Sequence, residues 1–229
     1  MGAHMIYDIS ETSFESEKER NLYYKIFAGY LFNELVPDYN SRVQAFFKLL
    51  HAPVAIGQAA PPLPESLDPR NTHVSFDNHL YLFQKATGDR GEFADILLHD
   101  ITSRTLVAIE AKLHSDWSHE KDILENQSRH SQLTDLLPRI NLVPVLLLSE
   151  RRWNRVKQKE PREKSNYRRF VEDAQCRFRV VLWEQIASII VERHVKDFLD
   201  SQLSRYDTGL FYRSSQDWFF QESPIATDR

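Results

Sequence analysis

Gly91-Glu-Phe-Ala-Asp95-Ile-Leu-Leu-His-Asp100 and Arg104-Thr-Leu-Val-Ala-Ile-Glu110-Ala-Lys112-Leu-His114 flank the short break Ile101-Thr-Ser103. Apolar and β-branched residues dominate each half, and the Asp, Thr and Ser at the junction suit a turn, so the stretch reads as a β-hairpin. If Ile101 lies opposite Arg104, the numbers of paired residues sum to 205 and Asp95 faces Glu110. Cross-strand neighbours of that kind reach one another's side chains. Glu110 and Lys112 are two apart and project from one face, while Ala111 projects from the other. Two acids and a lysine therefore converge on an otherwise apolar strand pair, where unpaired charge is costly.

A divalent cation offsets such a cluster. Carboxylates suit the hard ion Mg2+, which takes one or two of them, keeps several waters and leaves room for a phosphate oxygen. With a lysine ammonium to orient water or stabilise developing charge, the set suits phosphodiester hydrolysis. The plainer reading is a strand-end aspartate beside a solvated Glu110–Lys112 pair, worth little energetically. The apolar run Leu106-Val-Ala-Ile109 argues for a strand covered on both faces, where charges need a reason.

At Asp95 and Glu110-Ala111-Lys112 the sequence resembles the PD-(D/E)xK, or restriction-endonuclease-like, nuclease superfamily. Fourteen residues separate the acids, and Ala94 stands where the motif has proline. The resemblance implies an α/β fold with a central mixed sheet flanked by helices, in the order α-β-β-β-α-β with extra terminal helices. It implies that Asp95, Glu110 and the Ala111 carbonyl coordinate Mg2+, with Mn2+ as a substitute, and that Lys112 is the catalytic lysine. Glu34, at the end of the first expected helix, is the candidate for an additional metal-binding acid. Gln127, on the helix after the motif, is the candidate polar contact to the site, with Gln132 as its alternative. The implied activity is that of a nuclease and hydrolase, most simply an endonuclease acting on DNA rather than RNA, in genome or antiviral defence or in repair. A catalytically silent module on the same fold, binding nucleic acid or a protein, is the competing expectation.

The 229 residues suffice for one large domain, and 41% hydrophobic with 27% charged residues describes a globule. No apolar run is long enough to span a bilayer, and no secretory leader is recognisable. The single cysteine, Cys176, excludes an internal disulfide and fits a reducing, cytoplasmic setting. It reads as a core residue. Net charge is −4, so any case for nucleic acid is local. Nine Lys/Arg against two acids lie between Arg151 and Arg169. Arg151, Arg152, Arg155, Lys157 and Lys159 are the candidate phosphate contacts, with Trp153 and Tyr167 placed to stack on bases; a plain solvated surface is the alternative.

The remaining chain divides as follows. Residues 1–5, Met-Gly-Ala-His-Met, read as a cloning scar, 6–75 as a helical region with a proline-rich connection, 76–200 as the nuclease core, and 201–229 as an aromatic extension packing on the core or a partner subunit, such as a second copy in a homodimer. Helices are expected over Ser13–Val36, Ser41–His51, His119–Leu137, Glu163–Ala174 and Trp183–Phe198. Strands are expected over His79–Lys85, Leu142–Leu148 and Phe178–Leu182. His114, His119 and His130 read as structural or exposed, and no Cys/His spacing supports zinc.

Overall fold

The computed structural model describes residues 22–65, 67–76, 88, 93–112, 123–158 and 166–204. The expected hairpin forms as β3 (Ile96–Asp100) and β4 (Thr105–Lys112), and its pairing runs from Asp100↔Thr105 to Ile96↔Ile109, the register in which residue numbers sum to 205. The turn explains why. The buried Asp100 carboxylate accepts the backbone N–H groups of Thr102 and Ser103 and the Ser103 hydroxyl, at 2.9, 3.4 and 3.0 Å, an acid folding its own turn. Arg104 then adopts φ +53°, a left-handed conformation unusual for a side chain with Cβ.

Around this hairpin lies a six-stranded mixed sheet in the order β1-β6-β5-β4-β3-β2. Strands β4, β5 (Asn141–Leu148) and β6 (Arg179–Leu182) run parallel, and β1 (Ala55–Ile56), β2 (Thr72–Phe76) and β3 pair antiparallel with their neighbours. Helix α2 (Asn126–Leu136) connects β4 to β5, as a parallel pair requires.

Alternation along the strands builds a layer on each face. Val107, Ile109, Ala111, Val143, Val145 and Leu147 share one apolar cluster with a π-helix (Tyr24–Leu31), α1 (Tyr39–His51), α5 (Trp183–Ile189) and α6 (Arg193–Ser204). The opposite face packs on α2, α3 (Glu150–Gln158) and α4 (Asn166–Glu172), but as two separate clusters. Leu97, Leu106, Ala108, Leu133 and Leu142 belong to one; Leu146, Leu148, Trp153, Phe170, Phe178 and Val180 belong to the other. No described helix is long and apolar enough to cross a membrane.

Several elements differ from expectation. The strand anticipated over 79–85 lies outside the described residues. β1 and β2 come instead from the segment read as a connection, and the sheet thus begins well before residue 76. The proline-rich stretch is anchored: Asn141 Nδ2 donates to the Pro62 carbonyl at 2.9 Å, Arg179 donates to that of Pro61, and Gln58 Nε2 to that of Val171 at 2.8 Å. Asn141 and Arg179 stand at the N-terminal ends of parallel strands, so this strap closes the end of the sheet away from Lys112. The first helical segment stops at Leu31 rather than Val36. The single helix expected after Trp183 breaks at residues 190–192, where the Val191 N–H turns to the Tyr30 hydroxyl at 3.3 Å.

Candidate functional site

Asp95 immediately precedes β3, and continuing the ladder by one step sets it opposite Glu110. Its side chain extends the hairpin where backbone pairing ends, Oδ2 accepting the Ala111 N–H at 2.7 Å. That bond ties the first acid of the motif to the residue between the other two. Lys112 Nζ lies 2.6 Å from Glu110 Oε1, both side chains 18% exposed. Enclosure of that degree screens the pair less than open solvent would.

These residues occupy the interval between the two apolar clusters. Glu110 and Lys112 alternate with Ala111 and so share the face of Leu146 and Leu148, their partners on β5. From α2, His130 reaches between the same two clusters, and Asn126 is buried one turn before it. Gln127 is half-buried, in the first turn of α2, and its Oε1 is enclosed without a hydrogen-bond partner. Gln132, its alternative, is exposed. His130 is fully enclosed, with Phe93 at 5.2 Å and Phe178 at 5.6 Å between ring centroids, one ring from each cluster. Burial, followed by the nearby Arg177 and Arg129 charges, pushes its imidazole down to about 3, so it is neutral throughout the ordinary pH range. The sequence offered a signal for it: His130 lies three residues before the buried Leu133, on the inward face.

Other candidates fall elsewhere. Glu34 sits exposed on the turn after the π-helix, and that helix packs on the opposite face of the sheet from Glu110; the structure does not bring it to the acid pair. The helix end expected to carry it forms three residues earlier, at Leu31. Arg152 and Trp153 are buried, Trp153 meeting Phe170 edge-on at 6.0 Å. Trp153 is therefore part of the core and not a stacking platform, and Arg152 is not a solvent-facing phosphate contact. Arg151 is half-buried at the start of α3, and Arg155 and Lys157 follow on the same helix. Lys159, Tyr167's side chain, His114 and His119 lie outside the described residues. Cys176 is buried, its thiol pushed up to about 11 by enclosure, which accords with a core role.

Among the described residues no group of three or more His, Cys, Asp or Glu could hold a metal ion. Two carboxylates and a backbone carbonyl nevertheless suit the donor chemistry of Mg2+, which retains water and needs few protein ligands. Comparison with family models, curated proteins and solved structures returned no match.

Proposed function

We propose that the chain is a metal-dependent nuclease of the PD-(D/E)xK kind, hydrolysing phosphodiester bonds in nucleic acid. The observation that carries this reading is the Asp95–Ala111 hydrogen bond, because it gathers Asp95, Glu110 and Lys112 at one end of the hairpin. Asp95 and Glu110, with the Ala111 carbonyl, would hold Mg2+ or Mn2+. When bound, the ion supplies positive charge that polarises a phosphate oxygen and eases deprotonation of water. Lys112 is within reach of the same space: on leaving Glu110 its ammonium donates to the attacking water or to charge gathering on the phosphate oxygens. Gln127, whose enclosed acceptor oxygen has no hydrogen-bond partner, is the polar residue that the resemblance assigns to this site.

DNA is the substrate favoured over RNA, on the resemblance of the motif. Arg151 and the basic run that follows lie just beyond β5, whose Leu148 pairs with Lys112, so phosphates adjoining the cleaved one would run over the start of α3. A role in genome defence or repair follows from the same resemblance, a reducing, cytoplasmic setting from the single cysteine, and pairing with a second copy or a partner subunit from the aromatic C-terminal extension.

A silent nucleic-acid-binding or protein-binding module is the second reading. The separation of Glu34 from the acid pair favours it. One assay decides between them: linear duplex, supercoiled plasmid, single-stranded DNA and RNA are incubated with Mg2+, Mn2+ or EDTA, beside Asp95→Ala and Lys112→Ala proteins. Metal-dependent loss of substrate abolished by both substitutions establishes the nuclease. Binding by an inert wild type turns the assignment to the module.

A further inference from the structure

We propose that His73 and His99 form a second, transition-metal site on the outer hairpin of the sheet, independent of the nuclease reading. The two are direct Cα partners on antiparallel β2 and β3. Directly opposed side chains share a face with Cβ atoms about 4.5–5.5 Å apart. Both imidazoles then reach one ion at the usual zinc–nitrogen distance of about 2.0–2.1 Å.

The surroundings keep this pair open to solvent. Thr72 is buried, while Val74 and Phe76 turn toward the cluster that contains the π-helix, leaving His73 and Ser75 on the other face. His73 is exposed and His99 half-buried; His99 lies beside the buried Leu106 on β4. Among the described residues no third His, Cys, Asp or Glu completes a cluster, so the pair leaves coordination positions for water or another donor. Two imidazoles with open positions suit Ni2+, Cu2+ and Zn2+ and disfavour Mg2+, whose preferred donors are oxygens. The site thus differs in chemistry from the acid pair. It also differs in place, His99 lying four residues along β3 from Asp95, about 13 Å of extended chain.

Bound metal would clip β2 to β3 and stabilise the hairpin that presents Asp95, as any ligand specific to the folded state does. The test is calorimetric titration of the full chain with NiCl2 and ZnCl2, repeated on His73→Ala, His99→Ala and the Asp95→Ala/Glu110→Ala double variant, with melting curves for each. One equivalent of Ni2+ is expected on the wild type and on the acid-pair variant, with a metal-dependent rise in melting temperature. Each histidine variant should bind at least about a hundredfold more weakly, the upper end of the losses that outer-shell changes cause, while its metal-free melting temperature stays near that of wild type. Unchanged affinity in either histidine variant, or no binding by the wild type, overturns the site. Inertness toward nucleic acid leaves it standing.

Discussion

Asp95 does two things at once: its carboxylate ends the β3–β4 pairing by accepting the Ala111 N–H at 2.7 Å, and it delivers the first acid to Glu110 and Lys112. The roles separate on substitution. Asp95→Asn keeps a neutral acceptor for Ala111, whereas Asp95→Ala leaves that amide without it. Asp95→Ala should lose about 1–3 kcal/mol in urea denaturation, the usual cost of leaving an enclosed donor unsatisfied, and Asp95→Asn distinctly less. Both should lose metal-dependent cleavage. Equal stability of the two would mean the bond is dispensable.

Lys112→Ala and Lys112→Arg address the catalytic side. Removing a donor positioned at developing charge costs about a hundredfold to a thousandfold in kcat. Such a loss is expected for Lys112→Ala with KM nearly constant, and Lys112→Arg should recover little because a planar guanidinium does not replace a compact ammonium. Steady-state cleavage of a short duplex checks both.

His130 makes the fold sensitive to acid. Its imidazole is lowered from the ordinary 6.5 to about 3 in the folded chain. Below pH 6.5 the unfolded chain takes a proton that the folded one refuses, so this contribution is complete above 6.5 and declines as pH falls toward 3. At pH 4 the loss is about 3 kcal/mol, at about 1.4 kcal/mol per unit. Denaturation profiles of wild type and His130→Phe should diverge through that window, with the variant flatter. Parallel profiles would remove His130 as the cause.

Buried Arg152 should part from its neighbours in the basic segment. Arg151→Ala, Arg155→Ala and Lys157→Ala are expected to weaken nucleic-acid binding and to reduce the salt dependence of log K by about one each. Arg152→Ala should instead lower the melting temperature with little change in that slope, since Arg152 is buried. Fluorescence anisotropy at several salt concentrations distinguishes the two classes.

Gly57 has a purely steric constraint. A Cβ there would fall 2.2 Å from the Cys176 carbonyl oxygen, where the Gly57 N–H also bonds the Phe178 carbonyl at 2.8 Å. Gly57→Ala must push β1 off β6, at a cost of about 1–3 kcal/mol typical of overpacking. Thermal melting of the variant provides the measurement.

The hairpin was legible because its register is written locally, in Asp100 and the three residues after it. The β5 run and Cys176 were legible for a similar reason, since continuous apolarity signals an interior strand and an isolated thiol without an activating neighbour signals core. Other elements depend on distant partners. The strand β2 sits just after a proline-rich stretch whose order comes from Asn141 and Arg179, more than seventy residues on, so no local pattern announces it. In α3 the charge run obscured Trp153, a lone large apolar residue whose partner Phe170 belongs to another helix. The break between α5 and α6 reflects the reach of Tyr30 from the far end of the chain. At the site, the acid pair and lysine were readable from strand parity. The enclosure of Gln127 was not, and that of His130 was only hinted at by its spacing from Leu133, because the rings that cover His130 come from two separate apolar clusters.

The proline-rich strap gives the sheet a floor, and the acid pair lies at its mouth. The strap contact at Asn141 stands seven register steps from Lys112, roughly 23 Å along the strands, and the one at Arg179 three steps, roughly 10 Å. Changes to the strap should therefore register in melting curves and leave the chemistry at Lys112 untouched. The floor carries the stability of the sheet's far end, and the mouth is where the proposed function would have a substrate enter.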